Sequence, residues 1–178
     1  MKIGVISDTH DHFPGIDWAH QLLVKEGVDA ICHCGDWVSP FTMEYFTSVF
    51  SDFQVPVYSV FGNNEGDLKR ILERNQELPN PITLAPKTMF SLPIDGKKIA
   101  IYHGHDSDLL EALIKSELYD AIFTGHTHQY RNEVWGKTLI LNPGSLIPAR
   151  SSKPSGELSL AIYDTTTNSA THHSINVE

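Results

Sequence analysis

Ile3-Gly4-Val5-Ile6-Ser7-Asp8-Thr9-His10 is the stretch on which the reading of this chain turns. An apolar run stops at Ser7, and a carboxylate and an imidazole follow one residue apart. Such a run reads as a buried strand. The carboxyl end of a strand is where open α/β sheets place their chemistry. Residues i and i+2 of an extended chain point the same way, so Asp8 and His10 are expected to share one cation.

The next stretches repeat the pattern. Pro14 suits the first turn of a helix that carries Trp18, Leu22 and Leu23 and ends near Gly27. Asp29 to Cys34 reads as a second strand ending in Gly35-Asp36. A helix over 38–50 follows, with Phe41, Tyr45, Phe46 and Val49 expected on its core side. Pro56 to Phe61 is a third strand, ending in Gly62-Asn63-Asn64-Glu65. A short helix over 67–74 leads into a connector over 75–87 that holds three prolines.

Beyond it, Asp95-Gly96 predicts a hairpin between 88–93 and 97–102, whose second arm ends in His103-Gly104-His105. Ser107 and Asp108 start a helix with Leu109, Leu110, Leu113 and Ile114 on its apolar face. Ala121 to Thr124 is a strand that ends in Gly125-His126-Thr127-His128. Two more antiparallel pairs follow, around Gly136 and between 157–163 and 170–177. A βαβ-like first half and a hairpin-rich second half predict an α/β fold of two stacked mixed sheets with helices outside, as a single domain over 1–178.

Composition narrows the function. The 178 residues carry 22 acidic and 13 basic side chains, a formal net charge of −9, which disfavours a long nucleic-acid partner. A small phosphorylated substrate is compatible if bound metal supplies the positive charge. No apolar run reaches membrane-spanning length and nothing precedes the first strand but Met1-Lys2, so a cytoplasmic protein is expected, with no membrane partner. A homo-oligomer is left open. Cys32 and Cys34 are read as core packing.

Asp8, His10, Asp36, Asn63, His103, His126 and His128 therefore all stand at the ends of apolar runs. Together they exceed what one tetrahedral zinc needs and suit two divalent cations sharing a bridge. Asp36 is the natural bridge, since each of its oxygens can bind one cation. Asp8, His10 and His128 then complete one site; Asn63, His103 and His126 complete the other. Oxygen and imidazole donors suit manganese, nickel, iron, cobalt or zinc, with manganese taken first.

These motifs, in this order, resemble those of the calcineurin-like metallophosphoesterases, in particular their small prokaryotic phosphodiesterases. The resemblance runs from Met1 to about Arg150 and includes Asn142-Pro143-Gly144-Ser145. It implies that family's four-layer sandwich and the same ligand split. It also implies hydrolysis of small phosphodiesters by a hydroxide bridging two metals. Many members carry a histidine where this chain has Asn64. An amide donates a hydrogen bond but delivers no proton at neutral pH, which favours good leaving groups. Asn64 and His105 are the expected catalytic side chains beside the metals, and Arg150 the expected phosphate contact. The alternatives are a phosphomonoesterase and a non-catalytic scaffold on the same fold. His33 is read as a core histidine, His20 and the His172-His173 pair as surface residues, and His12 as solvated or at the cleft mouth. Phe13, Trp37 and Phe41 are candidate linings for an apolar leaving group.

Overall fold

Residues 1–85, 87–148 and 156–177 are described by a computed structural model. The chain runs β1 (Lys2–Ile6), α1 (Phe13–Glu26), β2 (Ala30–His33), α2 (Pro40–Val49), β3 (Val57–Ser59), α3 (Leu68–Glu77) and β4 (Thr83–Leu84). It continues β5 (Met89–Ile94), β6 (Lys97–Tyr102), α4 (Ser107–Ser116), β7 (Ala121–Phe123), β8 (Tyr130–Trp135), β9 (Thr138–Pro143), β10 (Gly156–Asp164) and β11 (Ser169–Val177). Two mixed sheets result. The first has the order β11-β10-β1-β2-β3-β4, the second β5-β6-β7-β9-β8. In the first, β1 to β4 run parallel and β10 returns antiparallel to β1.

Side chains that alternate along each strand divide cleanly between layers. Ile3 and Val5 of β1, Ala30 and Cys32 of β2, and Ala161 and Tyr163 of β10 face the second sheet. They meet Ile99 and Ile101, Ala121 and Phe123, and Leu139 and Leu141. The intervening Ile6, Ile31, Leu160 and Ile162 pack instead among Ile16, Leu23, Met43 and Phe46 of α1 and α2. Ala100, Ile122 and Ile140 do the same beneath Ile114 of α4. The layering is helix, sheet, sheet, helix, as expected. Both cysteines are buried and free, and burial pushes both thiols up. Among the described residues no helix is long and apolar enough to cross a membrane.

Several boundaries differ from expectation, each for a physical reason. Val38 has φ 76°, which no helix accepts, so α2 starts only after Ser39. Its buried side chains are Pro40, Thr42, Met43 and Phe46, whereas Phe41 is 61% exposed. Phe41 is therefore not a core residue: it falls on the side of the helix away from Thr42, Met43 and Phe46, which set the buried face. Trp37 lines no leaving-group pocket; it is fully buried, stacked on His33 with ring centroids 3.6 Å apart. On α4, Leu109 is likewise exposed.

The connector contains β4, which pairs in parallel with β3. Buried Asn75 makes this pairing available. It donates to the Ile82 carbonyl at 2.8 Å and accepts from the Ile82 amide at 2.9 Å, standing in for a strand partner. His12 is half-buried, with its Nδ1 2.7 Å from the Leu146 carbonyl oxygen. His172, on edge strand β11, stacks on Tyr130 at 3.8 Å.

Candidate metal centre

The carboxyl ends of β1, β2, β3, β6 and β7 open onto one edge of the sandwich, and their loops are stitched together there. The Asp8 amide donates to the Gly35 carbonyl, His10 to Asp36, Gly125 to His103 and Leu146 to Ser7. Asp8, His10, Asp36, His126 and His128 all have left-handed backbone, with φ between 41° and 68°. The shared direction of Asp8 and His10 thus does not come from an extended chain; β1 stops at Ile6 and the ligands lie on a turn. Aspartate and histidine tolerate this region better than most residues. The cost, of order 1–2 kcal/mol each, persists only where the surroundings over-determine the conformation.

Two carboxylates sit at the middle of the cluster. Asp8 is fully buried, with its Oδ1 3.2 Å from His128 Nε2 and 3.7 Å from His10 Nε2. Asp36 Oδ2 lies 3.2 Å from His10 Nε2, and its Oδ1 lies 3.4 Å from His103 Nε2. Asp8, His10 and His128 form one group able to hold a cation, and Asp8, Asp36 and His103 a second. Asn63 presents its Oδ1 to His103 Nε2 at 3.0 Å. The His126 ring stands edge-on to that of His103 at 5.3 Å, while its amide donates to Asp8 Oδ2. All seven expected ligands therefore gather at one place.

A cation suits this arrangement. Asp8 Oδ1 and His10 Nε2 are buried and have no hydrogen-bond partner among the described residues. They converge without bonding to each other, as ligand atoms aimed at a common point do. His103 Nδ1 lies 2.8 Å from the Cys34 carbonyl oxygen, which must accept from it; this fixes the tautomer and leaves Nε2 free to ligate. The donors are oxygens and imidazole nitrogens with no thiolate, a set that fits first-row divalent ions.

Electrostatics follow the geometry. Burial alone would raise the Asp8 and Asp36 carboxyls, but the adjacent imidazoles overcome it and hold both well below the usual range. Burial would lower His10, yet Asp36 and Asp8 raise it to about 9. His103 also rises, against its burial, because the same carboxylates face it. His126 falls, through burial and the neighbouring charge of His103.

The surrounding residues are less visible in sequence. Glu65 Oε1 accepts from the amides of Asp36, Gly62 and Trp37, and its Oε2 from Val38, so one carboxylate binds the loop after β2 to the loop after β3. His33 is fully buried and neutral, its pKa pushed down to about 3 by burial. Its Nδ1 accepts from Gly35, so its Nε2 donates to Thr9 Oγ1, which in turn donates to the Asp36 carbonyl. Asn142 Nδ2 donates to the Gly125 carbonyl at 2.6 Å and to Thr127 Oγ1 at 3.1 Å, bracing the His126–His128 turn. Glycine is required where loops touch: a Cβ on Gly62 would run into Asp36 Oδ1, and one on Gly125 into Ser7 Oγ.

The other expected site residues divide. Asn64 reaches the centre, with its amide nitrogen 2.8 Å from Asp36 Oδ1 and its Nδ2 2.8 Å from Asp36 Oδ2. His105 is exposed at the rim, its ring 5.7 Å from that of His103 and 6.5 Å from that of His126. Arg150 lies outside the described residues.

Known proteins resemble this chain in sequence and fold. Residues 1–168 match the calcineurin-like phosphoesterase superfamily domain. Phosphodiesterase MJ0936 of Methanocaldococcus jannaschii is 37% identical over 144 residues, covering 81% of this chain and 83% of the relative. The structure of a novel archaeal phosphodiesterase superposes with a TM-score of 0.82 at 32% identity, over 99% of this chain and 100% of that one. Vps29 from Entamoeba histolytica, solved in complex with zinc, shares the fold with a TM-score of 0.61 at 19% identity, over 99% of each chain. With aspartates and histidines of the family motifs gathered at one sheet edge, and a domain match over nearly the whole length, this chain belongs to the calcineurin-like phosphoesterase superfamily.

Proposed function

We propose that this phosphoesterase is a phosphodiesterase of small diesters, working with two divalent cations held by Asp8, His10, Asp36, Asn63, His103, His126 and His128. Asp36 stands between the two, and residues 1–178 act as one catalytic unit. The observation that carries the reading is the convergence of Asp8 Oδ1, His10 Nε2 and Asp36 Oδ2 on one point, the first two buried and making no hydrogen bond among the described residues. Two bound cations would acidify a shared water and offset charge developing on the phosphoryl oxygens.

The chain's own residues do the rest. His103, its Nδ1 committed to Cys34, presents only Nε2. Glu65 fixes the backbone that aims Asp36. Asn64 gives up its bond to Asp36 and donates its Nδ2–H to an ester oxygen. It stabilises a departing oxygen without protonating it, so diesters with good leaving groups turn over fastest. His105 meets the substrate from the rim, and Arg150 pairs with its phosphate.

Hydrolysis of bis-p-nitrophenyl phosphate by the purified chain, with manganese, nickel, iron, cobalt or zinc added in turn, tests this. The expected result is metal-dependent release of nitrophenol that chelation abolishes. Asp36→Asn should reduce it by more than about a hundredfold, beyond the usual effect of changes outside the ligand set. Folded protein inert with every metal contradicts the reading. Faster turnover of p-nitrophenyl phosphate would make the chain a monoesterase.

A further inference from the structure

The described surface exposes four large aromatic side chains that are not histidine: Phe13, Phe41, Tyr130 and Trp135. Two of them follow expected ligands closely in the chain. Phe13 opens α1 three residues after His10, within about 11 Å of it along even a fully extended chain. Phe41 stands in the first turn of α2, five residues after Asp36. Between them lies Tyr45, one turn along from Phe41 and so on the same helix face. Phe13 and Tyr45 are stacked, ring centroids 4.3 Å apart at 17°.

This is a held surface. Tyr45 is pinned through its hydroxyl, which donates to Asp17 Oδ1 at 2.8 Å. Asp11, directly after His10, clasps the start of α2: its Oδ1 accepts from Ser39 Oγ at 2.7 Å and from Thr42 Oγ1. The clasp fixes the spacing of the two helix starts and of the rings they carry. Phe41, 61% exposed, makes no ring stack of its own among the described residues. An exposed phenyl gains little by folding, and here it extends an ordered aromatic face beside a phosphoryl-binding site.

We propose that Phe13, Tyr45 and Phe41 form a shelf that stacks a flat aromatic ring carried on one arm of the phosphoester. This rests on the phosphodiesterase reading for the place of the phosphate and adds the class of substrate, one with an aryl group or a nucleobase. It is consistent with Asn64, which supplies no proton and leaves the enzyme dependent on a well-positioned arm.

Binding tests the shelf independently of turnover. The manganese-loaded full chain is titrated calorimetrically with methylphosphonate, phenylphosphonate and adenosine monophosphate. Phenylphosphonate should bind about fivefold to tenfold tighter than methylphosphonate, the size of one ring–ring contact. Phe41→Ala should reduce that preference to about twofold or less, Phe41→Tyr should retain it, and Trp135→Ala, on the far strand β8, should not alter it. Tighter binding of adenosine monophosphate than of phenylphosphonate assigns the shelf to a nucleobase, and the reverse order to an aryl arm.

Equal binding of the two phosphonates, binding of neither, or equal weakening of both by Phe41→Ala overturns the proposal. So does a Phe41→Ala variant that keeps the phenyl preference but turns a dimer into a monomer in sedimentation; the face is then a contact between copies. Absence of hydrolysis together with a phenyl preference that Phe41→Ala removes would reject the phosphodiesterase reading and keep the shelf.

Discussion

Glu65 gathers four backbone amides onto one carboxylate and thereby sets where Asp36 points. Glu65→Gln keeps the volume but turns amide hydrogens toward amide donors. It should lower stability by about 1–3 kcal/mol and weaken metal binding about tenfold to a hundredfold, read by urea unfolding and metal titration. Unchanged metal affinity would make Glu65 a loop brace only. His33 supplies the pH dependence. Its pKa is pushed from 6.5 in the unfolded chain to about 3 in the folded protein. The unfolded chain therefore binds the extra proton between those values. The His33 contribution to stability is present in full above pH 6.5 and is lost as pH falls toward 3, by up to about 1.4 kcal/mol per pH unit. His33→Gln should flatten that slope between pH 6.5 and 4.5, and an unaltered slope would contradict the assignment. The seven ligand candidates were legible because each is a ligand-type side chain at the end of an apolar run. Glu65 was not, because its partners are backbone amides up to 29 positions away, which leave no pattern in side-chain chemistry. Phe41 misled for the opposite reason: it shares a face with Tyr45 by spacing, but the buried face is the other one, set by Thr42, Met43 and Phe46.

At the scale of elements, the strands were readable where one face packs on the other sheet and the next on a helix, as in Ile3, Val5 and Ile6. β4 was not, since two residues carry no period and their pairing depends on Asn75 acting as a backbone mimic. The turn after β7 depends in the same way on the strand beside it. Asn142 holds the Gly125 carbonyl and the Thr127 hydroxyl, and its Oδ1 accepts from Gly144. Asn142→Ala leaves the buried Gly125 carbonyl without that donor, so the expected cost is about 1–3 kcal/mol in denaturant unfolding. That turn carries His128 of one proposed set and His126 of the other, so the variant should also weaken binding of both cations in a metal titration. Unchanged metal affinity would place the brace elsewhere. The backbone of the ligand turns was not legible either: left-handed φ at five aspartates and histidines is imposed by bonds between loops, such as Asp8 to Gly35, that no local stretch encodes.

For the whole molecule, order along the chain was enough to infer two stacked sheets with outer helices, because parallel strands in the first half need crossovers and the hairpins in the second do not. The outcome is a single edge on which loops from both sheets meet, with buried carboxylates compensated, among the described residues, by imidazoles. Such a distribution belongs to an edge built to hold cations. An anomalous-difference map from crystals grown with manganese, collected at the manganese edge, tests it most directly. Two peaks are expected at the carboxyl ends of β1, β2, β6 and β7, one contacting Asp8, His10 and His128, the other contacting His103 and Asn63, with Asp36 touching both. A map with no peak among these residues, in protein whose fold is intact, would contradict it.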